Sequence, residues 1–326
     1  MNKTISDING YTSYIVNSGE IINKGYNFSI TAVPIQNKDW NWLVSASLSK
    51  VINKMKTSPG EDSYSLNDYL NGTAVINGQS LGTFYSYKFI GLNPEDGGPL
   101  FDDYQDRSNE LLGLSKYETF MKVLSKSGKR DPDITGSISS TLSYKNFRLG
   151  VLMDYAMGNK VRLFKVFGQD ATMSQSGPGN IYPEYNLNRA LLNRWIKPGD
   201  EARTNIPSIM SKTSLNYYKY DQHWSSGNQY QGVQIATDSY TMYDYSDIRV
   251  VSADYIRLAS LSLTYELSEK LLPKLGLQRL AITAAGNNLY TLCNSKLKGQ
   301  TPTQSGFSEV QLSDNPYYTI SINVQF

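Results

Sequence analysis

The chain ends on the stretch Pro-Tyr-Tyr-Thr-Ile-Ser-Ile-Asn-Val-Gln-Phe, residues 316–326. Side chains of an extended strand alternate between its two faces. One face of this strand carries Tyr318, Ile320, Ile322, Val324 and Phe326. The opposite face carries Tyr317, Thr319, Ser321, Asn323 and Gln325. An apolar lipid side, a polar lumen side and an aromatic residue at the water boundary are typical of an outer-membrane barrel strand. The first face is therefore predicted to contact lipid.

The overall composition excludes a helical membrane protein but permits a membrane barrel. The chain has 326 residues, 40% of them hydrophobic, and a mean hydropathy of −0.42. No stretch approaches the roughly 18 apolar residues of a membrane-spanning helix. In a barrel, only every second strand residue must be apolar. Low hydropathy therefore does not favour a soluble protein.

The charged and metal-binding residue types exclude several classes of function. The 31 basic and 29 acidic residues give a net charge of +2, which leaves no electrostatic footprint for nucleic acid. The single histidine, His223, cannot form a multi-histidine zinc site, and the single cysteine, Cys293, cannot form an intrachain disulfide. Calcium in an extracellular loop is an expectation for the acidic stretch 102–106. The EF-hand spacing is missing there, so a solvated loop is the preferred interpretation. No catalytic or cofactor-binding residue is predicted.

Two hairpins stand out in the first half of the chain. A strand over residues 25–34, ended by Pro34, is followed by a short polar turn and a strand that begins at Trp40. Trp40 and Trp42 are predicted as interfacial aromatics of the barrel. The second hairpin covers residues 134–155, with a two-residue turn at Lys145-Asn146.

The remaining pattern alternates between strands and irregular stretches. Further strands are predicted at 255–267 and 280–292, with a one-turn helix at 269–272, capped by Ser268, before Pro273. The irregular or loop stretches are 53–80, 165–247 and 293–315, with extended structure at 81–92 and a short helix at 186–195. The aromatic cluster at 217–245 would suit stacking on sugar rings, but packing within loops is commoner for such clusters. In total, about eight to ten antiparallel strands with long extracellular loops are expected.

Several stretches resemble the C-terminal barrel region of SusC/RagA-type TonB-linked outer-membrane transporters of the Bacteroidota. They occur in the order of the family and are residues 19–25, 87–97, 132–137, 194–200, 254–258 and 286–289, together with the terminal Phe326. The resemblance implies that the chain, residues 1–326, is the C-terminal part of a 22-stranded barrel. It also implies an N-terminal plug, a TonB box and a carboxypeptidase-like extension, none of which is recognised in this sequence. No signal peptide is recognised either, because the first residues have no apolar segment of the length that a secretory signal needs.

The resemblance further implies import of glycans or peptides together with a SusD-like lipoprotein, in the outer membrane and without enzymatic activity. Contact with the TonB complex is expected only through the N-terminal region that is not recognised here. The terminal strand with Phe326 resembles the signal that the barrel-insertion machinery reads. Two alternatives remain open at this point. One is a soluble secreted all-β adhesin or glycan-binding domain, and the other is an outer-membrane barrel enzyme, for which His223 would be the only histidine.

Overall fold

The computed structural model describes residues 2–4, 13–15, 19–58, 60–167, 188–211, 214–224, 235, 238–303 and 315–326. Its strands β1 to β15 are, in chain order, Asn2–Thr4, Ser13–Ile15, Glu20–Gln36, Trp40–Thr57, Thr83–Tyr87, Phe89–Leu92, Pro99–Phe101, Leu124–Lys129, Ile134–Tyr144, Phe147–Met157, Lys160–Arg162, Val250–Ser252, Tyr255–Glu266, Arg279–Cys293 and Tyr317–Gln325. The helices α1 to α4 are Leu66–Asn71, Lys116–Val123, Tyr217–Asp221 and Ser239–Asp244. Within the described ranges, none of these helices is long and apolar enough to cross a membrane.

Seven long strands form one antiparallel sheet in the order β15-β14-β13-β10-β9-β4-β3. Each strand pairs with the next long strand along the chain, so the sheet is an up-and-down meander. The connections on one side of the sheet are shorter than those on the other. They are residues 37–39 between β3 and β4, 145–146 between β9 and β10 and 267–278 between β13 and β14, and we call this side of the sheet the turn end. Long excursions leave the opposite side, the loop end, at residues 58–133, 158–254 and 294–316. We call the described parts of these excursions the cap.

The cap has the main hydrophobic core of the described structure. This core combines residues of the first two excursions, including Tyr69, Tyr87, Phe120, Tyr240 and Tyr243. Helix α1 begins with a capping box in which the Ser65 hydroxyl accepts from the Asp68 N–H and the Asp68 carboxylate accepts from the Ser65 N–H. By contrast, only Met55, Ala156 and Ala281 of the seven-stranded sheet are among the buried apolar residues. The rest of the described chain therefore does not cover the apolar side of the sheet.

Most of the predicted elements are confirmed. The hairpin at 134–155 is present with Lys145 and Asn146 as its turn, and Lys145 has the positive φ of 49° that a tight turn requires. The strands predicted at 255–267, 280–292 and the C-terminus are β13, β14 and β15. The short helix expected at 186–195 appears as a 3-10 helix, Arg189–Asn193, capped by Asn188; residues 186 and 187 lie outside the described residues.

Three boundaries were predicted wrongly. Pro34 does not end the first strand. β3 is an edge strand, and its register with β4 shifts between Ala32 and Ile35. The missing N–H of a proline at this position therefore removes no hydrogen bond of the sheet. The predicted loop 53–80 contains the end of β4 and all of α1. The turn after β13 forms its 3-10 helix at Leu272–Leu275, with Pro273 inside its first turn rather than after it.

Within the described residues, the sheet has seven strands, against about eight to ten expected for the whole chain. The extended residues 81–92 form β5 and β6, which pair with β8 and β7 inside the cap. The aromatic-rich sequence predicted extended structure there correctly. The pairing partner of β5 could not be predicted. All five residues of this strand are buried in the cap, so no difference between its two faces indicates how it pairs.

Candidate functional site

The two faces of the sheet differ in chemistry across all seven strands. One row of directly paired residues, the apolar row, consists of Ile35, Trp42, Leu142, Leu149, Leu263, Ala284 and Ile320. The next row, the polar row, lies on the other face and consists of Gln36, Asn41, Ser143, Arg148, Thr264, Thr283 and Ser321. Leu263 is 49% exposed although β13 is an interior strand. The apolar face is thus open and continuous.

The terminal strand continues this apolar face. Ile320 pairs with Ala284 and Ile322 with Ile282, so the predicted lipid-facing residues lie in register with apolar residues of β14. Tyr318 is 76% exposed, Ile320 80% and Phe326 83%, while Ile322 and Val324 are also exposed. β15 is an edge strand of the sheet. The alternation read from the sequence therefore corresponds to an unpartnered apolar surface.

Aromatic rings line the turn end of the apolar face. The ring centroids of Trp40 and Tyr144 are 4.2 Å apart, and those of Phe147 and Tyr265 are 4.9 Å apart. The four residues are direct neighbours in register across β4, β9, β10 and β13. Trp42 lies on the same face and donates from Nε1 to the Ser140 hydroxyl at 2.9 Å. Sequence reasoning named the two tryptophans but missed Tyr144, Phe147 and Tyr265; their position beside short turns, in phase with Trp40, was the available signal.

The polar face is held together by hydroxyl groups and carries charge near its ends. Cross-strand hydrogen bonds join Ser47 to Ser137 at 2.9 Å and Thr264 to Thr283 at 2.8 Å. At the loop end, Arg257 donates from Nε and Nη2 to the Asp154 carboxylate at 3.0 and 2.9 Å. At the turn end, Glu266 accepts from Arg279. Such a face suits a hydrated interior, because its charges are matched and its hydroxyls both donate and accept.

The 93–98 turn, which overlaps the stretch 87–97 of the family resemblance, packs closely against residues of the second excursion. A Cβ on Gly97, whose φ is +72°, would lie 2.3 Å from the Trp195 ring, so only glycine fits against this indole. The Tyr220 hydroxyl donates to Asp96 Oδ1 at 2.7 Å, and the Ser208 hydroxyl donates to the Asp96 carbonyl at 2.6 Å. Burial and the hydrogen bond to Asp96 raise the pKa of Tyr220. Tyr220, Trp224, Tyr240 and Tyr243 of the aromatic cluster therefore pack within the cap, as the commoner interpretation of the sequence predicted, while Tyr218 is exposed and Tyr230 lies outside the described residues.

A buried arginine links the excursions of the cap. Arg162 is 1% exposed, and its guanidinium donates to four oxygens, the Ser86 hydroxyl and the carbonyls of Leu70, Tyr85 and Ser246, at 2.9 to 3.3 Å. Burial lowers the pKa of Arg162 to about 10, so the group stays charged at neutral pH. The Arg162 carbonyl accepts from Gln300 of the third excursion at 2.7 Å. One residue thus connects all three excursions.

The acidic stretch 102–106 uses its carboxylates within the cap. Asp102 accepts from Arg107 at 2.6 Å. Asp103 is 3% exposed and contacts His223 Nε2 at 2.6 Å and Trp224 Nε1 at 3.0 Å. Among the described residues, no three His, Cys, Asp or Glu side chains form a group that could hold a metal ion. The contacts seen at this stretch are protein contacts that stabilise the cap.

Comparison with known proteins identifies relatives over most of the chain. No protein-family model matches it. It is 25% identical to TonB-dependent receptor P3 of Formosa agariphila over 310 residues, which cover 89% of this chain and 26% of the relative. It is 24% identical to TonB-dependent receptor P39 of the same organism, covering 100% of this chain and 32% of the relative. The solved structure of the RagAB peptide transporter matches with a TM-score of 0.66 at 20% identity, covering 99% of this chain and 31% of that chain.

These matches, together with the two-faced sheet, give the chain the fold of a barrel segment of a TonB-dependent receptor, a class of outer-membrane proteins. Within that class, the resemblance to the SusC/RagA type of the Bacteroidota is confirmed. The chain spans about a quarter to a third of the length of the proteins that it matches, which is 26% and 32% for the two receptors. By name, these relatives are receptors and a transporter.

Proposed function

We propose that this chain forms part of the barrel wall of an outer-membrane importer of large nutrients. The observation that carries the proposal is the pair of neighbouring rows, one apolar and one polar, that cross all seven strands. Lipid requires an apolar outer surface and internally satisfied backbone groups, and a passage requires a polar inner surface. Short turns at one end and long excursions at the other match the periplasmic and extracellular sides of such a barrel.

The proposed partners follow from the same arrangement. The apolar face would contact outer-membrane lipid, and the terminal strand with Phe326 would be read by the barrel-insertion machinery. The folded cap would present a rigid surface to a SusD-like lipoprotein, with a glycan or a peptide as the imported substrate. The solved structures that match are titled a peptide transporter and a peptide importer. Coupling to the TonB complex would belong to the part of such a protein that this chain does not match.

A matched pair of lysine substitutions tests the membrane assignment. Leu261 and Ser262 are consecutive residues in the middle of β13, with Leu261 on the apolar face and Ser262 on the polar face. A lysine facing lipid near the bilayer centre costs about 2 to 4 kcal/mol, whereas a lysine in a hydrated interior costs far less. Leu261→Lys should therefore reduce the protein recovered from outer-membrane fractions of the native host, and Ser262→Lys should not. Equal recovery of both variants would contradict the proposal.

An uptake experiment tests the transport role. Removing the coding region of the chain from its host should abolish growth on glycans or peptides too large for passive diffusion, while growth on monosaccharides and amino acids continues. Restoring the region should restore uptake. If uptake of every large nutrient tried is unchanged, the importer role is wrong, while the membrane assignment still stands.

A further inference from the structure

We propose that the turn end of the apolar face binds the headgroup of an anionic phospholipid through Lys38 and Lys145, beside the stacked rings of Trp40 and Tyr144. The inference rests on the proposed function, because it requires the apolar face to contact a bilayer. It adds a ligand class and a site to that function. The ligand is a phosphate-bearing lipid of the leaflet that the turn end reaches.

The two lysines belong to neighbouring turns that are fixed to each other. The Lys145 N–H donates to the Asp39 carbonyl at 2.8 Å, which joins the β9–β10 turn to the β3–β4 turn. In the β3–β4 turn, the Asn37 side chain accepts from the Asp39 and Trp40 N–H groups at 3.0 and 2.9 Å. These hydrogen bonds hold the two turns side by side before any ligand binds, so little ordering is left to the ligand.

Both lysines can also offer their positive charge to an anionic ligand. Both side chains are exposed, and neither ammonium has a carboxylate within ion-pair distance among the described residues. The Lys145 Nζ lies 5.2 Å from the centroid of the Tyr144 ring, which holds the ammonium at the aromatic end of the apolar face. Lys56, by contrast, is paired with Glu20 at 2.9 Å. A free ammonium beside aromatic rings at a membrane boundary is placed where lipid phosphates lie.

One acidic group opposes the binding and therefore provides a test. Asp39 directly follows Lys38, and its carbonyl accepts from the Lys145 N–H. Its carboxylate therefore belongs to the joined turns and reduces the local positive charge. Removing that charge should strengthen headgroup binding. Removing the lysine charges should weaken it, by about fivefold for each lysine near an anionic surface.

The experiment measures quenching of tryptophan fluorescence by brominated lipids. The full chain is inserted into phosphatidylcholine vesicles that contain phosphatidylglycerol, with bromine on the acyl chains of one lipid at a time. Trp40 and Trp42 report on the site, since Trp195 and Trp224 are buried in the cap at 6% and 3% exposure. Brominated phosphatidylglycerol should quench more than brominated phosphatidylcholine at the same mole fraction.

Three variants decide the outcome. Lys38→Gln with Lys145→Gln should bring the ratio of the two quenching constants close to one, and Asp39→Asn should raise the ratio above that of the unsubstituted chain. The matched control is Lys197→Gln with Lys219→Gln, which removes two exposed lysines of the cap, one of them 5.1 Å from the Tyr220 ring, and should change nothing.

If both double variants lose the preference for phosphatidylglycerol equally, the proposed site is wrong. The preference would then come from general attraction between positive charges of the protein and the anionic lipid. A ratio near one in the unsubstituted chain would overturn the site as well, although quenching by either lipid would keep the membrane assignment. Absence of quenching by both lipids would overturn the membrane assignment itself, and the headgroup site with it.

Discussion

Gly98 lies against the ring of Tyr220, so that a Cβ at this position would be 1.9 Å from Cζ of the tyrosine. The Tyr220 ring is 2% exposed and belongs to the cap core. This contact joins the first excursion to the second, which are distant in sequence. Packing of the cap thus accounts for the glycine at position 98, next to the stretch 87–97 of the family resemblance.

Gly98→Ala should destabilise the cap by about 1 to 3 kcal/mol, because the methyl group must displace a buried ring. Thermal unfolding of the chain in detergent, followed by the fluorescence of Trp195 and Trp224, measures the effect. Gly113→Ala is the control, since no atom lies within 4 Å of its added Cβ and only its positive φ of 77° opposes the change. A smaller loss in Gly98→Ala than in the control would contradict the packing explanation.

Arg162→Met should destabilise the cap more than any exposed substitution. The change leaves four oxygens without the guanidinium that they accept from, and each unsatisfied buried group costs about 1 to 3 kcal/mol. We therefore expect a loss of at least about 3 kcal/mol. Arg203→Met, on an exposed arginine of the cap, should stay within about 0.5 kcal/mol. Urea unfolding monitored by near-ultraviolet circular dichroism checks both; similar midpoints would contradict the linking role of Arg162.

The sequence predicted the sheet better than the cap, for a physical reason. Each strand of the sheet has one apolar and one polar face, so period-2 alternation revealed β9, β10, β13, β14 and β15 with small errors at their ends. The strands of the cap are buried on both faces and short, which erases the alternation, as in β5. Arg162 gave no signal, because a single arginine next to an irregular stretch looks like a surface residue. The contact of Gly98 with Tyr220 does not follow from local pattern, because it depends on how two excursions that are distant in sequence pack against each other.

Asp238→Asn should make the cap more stable at neutral pH. Burial raises the pKa of Asp238, and the nearby carboxylates of Asp221 and Asp244 add to the effect. A raised pKa in the folded state means that the protonated form contributes stability at low pH and that this stability is lost as pH rises through the folded pKa. Asparagine has no charge to bury and still accepts the Thr241 N–H that Asp238 accepts at 2.6 Å as the cap of α4. The Asp238→Asn variant should therefore unfold at a higher temperature than the unsubstituted chain, and the difference should be larger at pH 7 than at pH 4.

Asp68→Asn provides the opposite sign in the same assay. Burial alone would raise the pKa of Asp68, but hydrogen bonds from Ser65 and Thr73 outweigh it and lower the pKa. Stability from this carboxylate is present above its unfolded pKa of about 4 and is lost as pH falls through the lowered folded value. The asparagine variant should therefore be less stable than the unsubstituted chain at pH 7 and equal to it near pH 2. The same pH trend in both variants would show that the buried charge of Asp238 is not the cause.

The ion pair of Asp154 and Arg257 tests whether the polar face is hydrated. Both side chains are 24% exposed, and their two hydrogen bonds span β10 and β13 at the loop end. In a water-filled interior, the coupling between them should be at most about 1 kcal/mol and should fall with added salt, because solvent and ions screen partly exposed charges. A double-mutant cycle with Asp154→Asn and Arg257→Gln, measured by urea unfolding in 0.05 M and 1 M salt, isolates that coupling. A coupling of about 3 kcal/mol or more that does not change with salt would mean that the face is dry, and the polar row would then be a packed interior rather than the wall of a passage.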